Sequence, residues 1–376
     1  MTKKLFFLNG FLTICMLGSL SAQNFQVYIS DAGNFQNPPW QILKYDENGA
    51  NGQVFIPHQS GHLAWPQDIL FLESRNEMLV SNLNTGNIAR FNATTGAFIS
   101  DFATGIGGPT RMKIGPDGLL YVLQWQGNGK VRRYNLDGTF VDEFTSVGVQ
   151  SSIGLDWDEQ GNLYVSSYNG KFVKKFSPTG ADLGNFISTN LSGPTNIWFA
   201  ENGELFVVDY NGNSVKRFGS LGNYLGVFIS GLPRGEGVDF FPNGNLIIGS
   251  GGAHAVRIYD ADGALLSNLA APGALGLITP NAVVLRPIPP SATREVYQEV
   301  SFVKPSVGVL FQVASPELIE ADSLVEVYNS GGILVSKFNF AGSTSWDASH
   351  LPSGVYYLSA KLRSGAIARQ AVVIQH

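Results

Sequence analysis

One pattern of residues recurs through most of the 376-residue chain and limits what it can fold into. Each copy begins with an apolar run, turns at a pair such as Asn-Gly or Asp-Gly, and continues with further short apolar runs. The equivalent first positions, spaced 43, 43, 42, 41 and 45 residues apart, are Pro66, Pro109, Ser152, Pro194, Gly235 and Pro280. A period of about 40–45 residues with about four short strands, here named a to d, is typical of a β-propeller blade.

The two ends of the repeated region complete each other. Residues 24–57 supply strands b, c and d without an a, and residues 278–287 supply an a alone. Pairing them closes a ring of six blades and removes the exposed sheet edges, whereas the alternative is an open array. The repeated cadence, as in "GPTNIWFAENGELFVVD", resembles the NHL-type and related six-bladed propellers. We therefore expect an all-β fold with a six-bladed β-propeller over residues 23–287, a fold that hosts many activities.

The composition changes after the closing strand. Prolines at 287, 289 and 290 predict an extended linker over residues 288–294. Strand-like runs through residues 295–376 then predict a small Ig-like β-sandwich.

Three of these runs carry a second resemblance. They are "LVEVYNSGGILVSKFNF", with Gly331–Gly332 at its turn, "LPSGVYYL" and "RQAVVIQ". Together they resemble the C-terminal sorting domain of bacterial type IX secretion substrates, and an ordinary Ig-like binding module is the alternative. The resemblance implies a Gram-negative bacterium, the outer-membrane secretion machinery as a partner, and a product that is released or attached to the cell surface.

The N-terminus has the pattern of a secretory signal. Lys3 and Lys4 precede an apolar run that ends in "SLSAQ", which predicts a signal peptide over residues 1–22, with a retained anchor as the alternative. Cys15, the one cysteine, lies in this segment, so the mature chain is expected to contain neither a disulfide nor a transmembrane span. The net charge of −5 argues against nucleic acid and anionic membranes as partners.

Propeller geometry selects the face on which a site is expected. In an antiparallel meander strand a starts, and strand b ends, on the same face of the disc. We expect the third residues of the a strands to ring the channel mouth: Asp68, Arg111, Gly154, Asn196, Gly237 and Ala282. The ends of the b strands are expected just outside them: Asp31, Asn82, Gln124, Ser167, Asp209 and Ser250.

Aromatic residues on this face predict a binding surface for a glycan, a peptide or a protein. Trp125, Tyr168 and Tyr210 follow the b strands of successive blades and can stack on sugar rings or peptide side chains, with Arg111 clamping a carboxylate. The candidate ligand-binding residues are Arg111, Trp125, Tyr168, Asn196, Tyr210 and Glu236. The alternative is that the aromatic rings only fill space between loops.

Carboxylate and amide side chains on the same face give a second hypothesis, a calcium site, because Ca²⁺ prefers oxygen ligands. Its candidate ligands are Asp31, Asp68, Asn196, Asp209 and Asn281. Such a site would serve a metal-assisted, lactonase-like hydrolase or lyase, for which no catalytic residue can be assigned. The alternative is that these side chains cap neighbouring backbone N–H groups. Extracellular binding is the favoured function, and a structural surface role is a third class.

Overall fold

The computed structural model describes residues 25–288, 303–313, 319–320, 324–329, 334–339, 345–363 and 367–376, and the backbone of a strand at 298–299. The chain divides into two compact units, Met1–Ile288 and Pro289–His376. The described residues form strands and three short 3₁₀ turns, and none of their helices is long or apolar enough to cross a membrane. The predicted signal segment, most of the linker and the Gly331–Gly332 turn lie outside the described residues.

Residues 25–288 of the first unit form six four-stranded antiparallel sheets, the blades, each ordered from inner strand a to outer strand d. Blade 1 contains β24 (Pro280–Pro287), β1 (Phe25–Asp31), β2 (Gln41–Asp46) and β3 (Gln53–Ile56). Blade 2 contains β4 (Pro66–Leu72), β5 (Glu77–Asn82), β6 (Asn87–Asn92) and β7 (Phe98–Ala103). Blade 3 contains β8 (Pro109–Ile114), β9 (Leu120–Gln124), β10 (Arg132–Tyr134) and β11 (Phe140–Glu143). Blade 4 contains β12 (Ser152–Trp157), β13 (Leu163–Ser167), β14 (Phe172–Phe176) and β15 (Asp182–Ile187). Blade 5 contains β16 (Pro194–Phe199), β17 (Leu205–Asp209), β18 (Ser214–Phe218) and β19 (Tyr224–Ser230). Blade 6 contains β20 (Gly235–Phe240), β21 (Leu246–Ser250), β22 (Ala255–Tyr259) and β23 (Leu265–Ala270).

The ring closes as the sequence predicts. Strand β24 pairs antiparallel with β1, from Phe25 opposite Pro287 to Asp31 opposite Pro280. The inner strands of neighbouring blades contact one another in cyclic order, from blade 1 through blade 6 and back. The all-β fold with six blades is therefore confirmed.

Aromatic side chains fill the space between blades. Tyr121, on strand b of blade 3, packs edge-to-face against Phe144, 5.2 Å away, and against Trp157 of blade 4, 5.1 Å away, measured between ring centroids. Tyr164 makes the same two contacts one blade later, with Phe186 and Phe199. These interfaces stabilise the stack because edge-to-face rings add to the apolar area that each blade buries.

Carboxylates join inner strands that do not pair as a sheet. Asp68 accepts a hydrogen bond from the Met112 N–H at 2.7 Å, which links blades 2 and 3. Asp156 and Asp239 do the same for blades 4 and 5 and for blades 6 and 1. Every second interface along the channel wall thus has a carboxylate bridge to the backbone.

The described residues of the second unit form two sheets. Its strands are β25 (Gln298–Glu299), β26 (Val303–Lys304), β27 (Val307–Gly308), β28 (Leu310–Val313), β29 (Leu324–Asn329), β30 (Leu334–Asn339), β31 (Ser345–Asp347), β32 (Gly354–Lys361) and β33 (Ile367–Ile374). One sheet has the order β25-β33-β32-β29-β30, with β27 also on β33, and the other has the order β26-β28-β31. A core that includes Phe311, Trp346, Val327 and Leu358 draws on both sheets, so the predicted small Ig-like sandwich is confirmed as a fold.

Candidate functional site

The side chains that end the b strands bind the loop that enters their own blade. Asp209 Oδ1 accepts hydrogen bonds from the N–H groups of Ser192 and Gly193, at 2.9 and 2.7 Å, and its Oδ2 lies 2.6 Å from Lys216 Nζ. Asp31 accepts from the N–H groups of Ile278 and Thr279 in the same way. These carboxylates act as caps because they satisfy buried backbone donors that have no strand partner.

The five residues predicted as calcium ligands do not form one group. Asp31 and Asp209 belong to blades 1 and 5 and are occupied by the loop contacts above, and Asp68 bridges to Met112. Over the part of the chain that the structure describes, no three His, Cys, Asp or Glu side chains are arranged to hold a metal ion. Calcium binding stays a prediction from the sequence.

Arg111 lies buried in the channel and is held by residues from four other blades. Its Nε donates to Asn196 Oδ1 at 3.1 Å, and its Nη1 donates to the Gln67 carbonyl oxygen. Its Nη2 donates to Glu236 Oε1 at 3.2 Å and to the Asn281 carbonyl oxygen at 2.5 Å. Four of the five N–H groups of the guanidinium are therefore engaged by the protein, so most of its hydrogen-bonding capacity serves the channel.

Glu236 carries a buried carboxyl group whose pKa is strongly raised. It is 5% exposed, and burial raises its pKa to about 7, with Arg111 acting to lower the pKa and Asp68 to raise it. Burial also raises the pKa of Asp68, and Arg111 partly offsets that increase. One guanidinium therefore compensates a pair of buried acids, and Glu236 titrates near neutral pH.

A concave cavity of about 370 Å³ opens on the predicted face. We call it the aromatic cavity, since its walls contain Phe35, Trp65, Trp125, Tyr168 and Tyr210. Four of the six predicted ligand-binding residues line it, namely Trp125, Tyr168, Tyr210 and Glu236. The other two, Arg111 and Asn196, line a separate cavity of about 290 Å³ on the far side of the Arg111–Glu236 pair.

Three of the aromatic walls share one position in the repeat. Trp125, Tyr168 and Tyr210 each follow the last residue of a b strand, so the cap described above fixes the start of each loop. Their rings form a continuous row, with centroids 5.7 Å apart from Trp125 to Tyr168 and 5.8 Å apart from Tyr168 to Tyr210. The row belongs to blades 3, 4 and 5, as the sequence predicts.

Sequence reasoning missed the other lining residues, of which Phe35, Trp65 and Arg234 have the largest side chains. Phe35 and Trp65 pack together with ring centroids 5.0 Å apart, and Arg234 lies at the rim. Trp65 and Arg234 immediately precede strand a, at a position that is glycine in Gly108 and Gly193. A bulky residue at a position where other copies of the repeat have glycine is the sequence signal that could have identified Trp65 and Arg234.

The floor of the aromatic cavity is a polar network. With the Asn281 amide oriented to satisfy its neighbours, its oxygen accepts from Gln67 Nε2 at 2.5 Å and Trp65 Nε1 at 3.2 Å, and its nitrogen donates to Glu236 Oε2 at 3.3 Å. Gln67, Glu236 and Asn281 are second residues of their a strands. The prediction that third residues ring this mouth was wrong at Asp68, Arg111, Asn196, Gly237 and Ala282, which line the cavity on the far side instead. A β-bulge near the start of strand a, present in each of the six blades, turns the second residue of the strand toward this mouth.

Two donors of the walls remain available to a ligand. Neither the Tyr210 hydroxyl nor the Trp125 indole N–H has a hydrogen-bond partner within residues 25–288, whereas the Tyr168 hydroxyl donates to Asn211 at 3.1 Å. Burial and the charge of Glu236 raise the pKa of Tyr210, so its hydroxyl keeps its proton at neutral pH. The site thus combines stacking surfaces with unused hydrogen-bond donors.

Comparison with solved structures supports the fold. Neither a protein-family model nor a curated protein sequence matches this chain. The chain is similar to a structure from a nidogen/laminin complex, with a TM-score of 0.57 and 14% identity, over 70% of this chain and 98% of that one. A protein of unknown function from Bacteroides caccae matches with a TM-score of 0.56, 14% identity and the same coverage, 70% and 98%. The virginiamycin B lyase of Staphylococcus aureus has a TM-score of 0.46 and 17% identity, over 71% and 85% of the two chains. The first two likenesses support the β-propeller fold and leave its ligand open.

We predict that Arg111 and Glu236 depend on each other for stability. Arg111→Met should lower the free energy of unfolding by about 3–5 kcal/mol, because it leaves a buried carboxyl without its counter-charge. The double variant Arg111→Met, Glu236→Gln should recover part of this loss. Urea unfolding monitored by tryptophan fluorescence measures both, and equal instability of the single and double variants would contradict the interpretation.

A second prediction concerns pH. The pKa of Glu236 rises from 4.5 to about 7 on folding, so the native state binds the proton more tightly and loses stability as pH rises across that range. The unfolding temperature of the wild type should therefore fall more between about pH 5 and pH 8 than that of Glu236→Gln. Asp68 and Arg111 are present in both proteins, so parallel pH profiles would show that Glu236 does not titrate as described.

Proposed function

We propose that the propeller binds a saccharide outside the cell and that the aromatic cavity is its binding site. The observation that carries the proposal is the set of five aromatic side chains that surround a polar floor. Sugar rings present C–H groups that pack on aromatic faces, while their hydroxyl groups need hydrogen-bond partners such as Tyr210 and Trp125.

The shape of the site favours a ring-sized ligand. Its volume of about 370 Å³ is near the lower end of small-molecule pockets, which span about 300–1,000 Å³. A stable protein partner would need a far broader surface, about 800 Å² on each side. A saccharide unit, free or at the end of a chain, fits the cavity better than a folded protein does.

The hydrogen bonding of the floor favours binding over catalysis. Acidic and amide side chains from several blades do converge, as expected of an enzyme, but they bond to one another and to Arg111. A prearranged network of this kind holds fixed polar groups against a ligand, which specific recognition requires.

A lactonase-like hydrolase or lyase is the second candidate. The observation in its favour is Glu236, a carboxyl group with a pKa of about 7 that lines the cavity. A carboxyl poised near neutral pH can serve as a general acid or base. In the metal-assisted form of this proposal, calcium would bind only some of the residues predicted from the sequence, because the five do not form one group.

For the second unit we propose a role in export. The sequence runs in β29–β30, β32 and β33 support a type IX-like sorting domain, with the secretion machinery of the outer membrane as its partner. In this proposal the N-terminal signal directs the chain across the inner membrane, and the product is released or held on the cell surface.

The binding proposal predicts the effect of removing the aromatic row. Saccharides added to the full mature chain should quench its tryptophan fluorescence saturably, and Trp125→Ala or Tyr168→Ala should weaken binding at least tenfold, about 1.4 kcal/mol. Phe140→Ala, which removes a ring 51% exposed on an outer strand, is the matched control and should change nothing.

The same titration separates the two candidates. A saccharide recovered unchanged supports binding. Cleaved product, lost in Glu236→Gln or dependent on added calcium, would replace the binding proposal with the enzymatic one. A panel of neutral and acidic saccharides that leaves the fluorescence unchanged would contradict saccharide binding.

The export proposal predicts that deletion of residues 295–376 abolishes secretion in a host with a type IX system and leaves the propeller in the periplasm. Immunodetection of periplasmic and extracellular fractions measures this. A full-length chain with a scrambled sequence between 288 and 294 is the control, since the linker has no sorting role. Undiminished secretion of the truncated chain would contradict the proposal.

A further inference from the structure

We propose that the saccharide taken by the aromatic cavity is negatively charged and that Arg234, at the cavity rim, binds its anionic group. The ligand class is a sugar ring that bears a carboxylate, as in a uronic acid, or a sulfate ester. This inference rests on the proposed saccharide-binding function and adds the charge of the ligand and the residue that selects it.

Arg234 differs from the other arginines of the propeller in having no protein partner. Among residues 25–288 each of the others makes an ion pair or donates to a backbone carbonyl, as Arg257 does to Gly231 and Arg132 to Gly105. The guanidinium of Arg234 has neither kind of contact, although its backbone N–H donates to Asn213 Oδ1 at 3.2 Å. An unpaired guanidinium in a chain with net charge −5 is available to an anion from outside.

The backbone of Arg234 is strained in a way that glycine would avoid. Its φ is 52°, in the left-handed region, and the equivalent residues Trp65 and Gly108 have φ values of 54° and 65°. Glycine adopts this conformation freely, whereas a residue with a Cβ is strained in it. Trp65 and Arg234 keep large side chains at this position, and both line the aromatic cavity. A residue that keeps a strained backbone conformation beside a cavity points to a functional role of its side chain.

The charges that face the cavity leave Arg234 uncompensated. Glu236 is the other charged residue of the lining, and its carboxyl is already paired with Arg111, 3.2 Å away. The cavity therefore has a positive charge at its rim, while the one carboxyl group of its lining already has a partner. Among saccharides, this arrangement favours an anion, and the guanidinium can bind a carboxylate or a sulfate through two parallel hydrogen bonds.

The geometry allows one ligand to meet both features. Arg234 and the aromatic row line the same cavity, and Arg234 is close enough to the Tyr210 hydroxyl to influence its titration. A sugar ring stacked on the aromatic row can therefore direct its anionic substituent to the rim. The protein then recognises a single sugar unit of the ligand both by stacking and by charge.

The test is a calorimetric titration of the full mature chain with paired probes. The probes are the trisaccharides of galacturonate, glucuronate and mannuronate, the neutral methyl ester of each, a sulfated galactose trisaccharide, and benzoate. We expect at least one anionic saccharide to bind at least tenfold more tightly than its neutral counterpart, with affinity that falls as salt is added. The stronger of the carboxylate and sulfate probes identifies the anionic group.

Two variants connect the preference to Arg234. Arg234→Gly and Arg234→Asn, both tolerant of a positive φ, should lose the preference for the anion and unfold at a temperature no lower than the wild type does. Arg234→Lys should keep part of the preference. Arg75→Ala, which removes an exposed arginine outside the cavity, is the control and should bind as the wild type does.

The outcomes separate this inference from the function on which it rests. Equal binding of acid and ester, or a preference that survives in Arg234→Gly, would overturn the role of Arg234 and leave saccharide binding in place. Binding of benzoate without any saccharide would overturn the saccharide proposal, and no binding by any probe would overturn both. A lower unfolding temperature in both Arg234→Gly and Arg234→Asn would show that Arg234 serves the fold.

Discussion

Antiparallel pairing between β1 and β24, the two ends of the propeller, is the constraint on which the remainder of the first unit depends. It fixes the number of blades at six and brings six inner strands around one channel. Because those strands do not pair with each other, polar side chains connect them instead, through Asp68, Asp156 and Asp239. The channel is narrow enough that the side chain of Arg111 reaches four other blades.

The ion pair of Arg111 and Glu236 connects blades across the channel and lies between its two cavities. Their contact is costly to desolvate, so its value lies in the geometry that it imposes. It joins distant blades, keeps Glu236 compensated, and separates the aromatic cavity from the cavity beyond it. The polar floor under the aromatic rings is thus a product of the same interaction that ties the blades together.

The repeat made the fold predictable, because a blade has the same strand and turn signals in every copy. It also made Trp125, Tyr168 and Tyr210 predictable, because the residue that follows strand b lies on the same face of the propeller in each of these blades. The partners of Arg111 were not predictable, because they lie up to 170 residues away and depend on ring closure. The β-bulges, which decide whether the second or the third residue of strand a faces the mouth, left no single signal in the sequence. Phe35, Trp65 and Arg234 were missed because their placement depends on left-handed backbone angles outside the strands.

In blades 3, 4 and 5, two adjacent residues at the end of strand b have different roles. Gln124, Ser167 and Asp209 bind the backbone of their own blade, while the next residues, Trp125, Tyr168 and Tyr210, line the aromatic cavity. A substitution at the outer residue of a pair can therefore alter what the cavity accepts without releasing the loop that carries it. Such a scaffold can acquire new specificities by single changes, one blade at a time, while selection on its folding stays nearly constant.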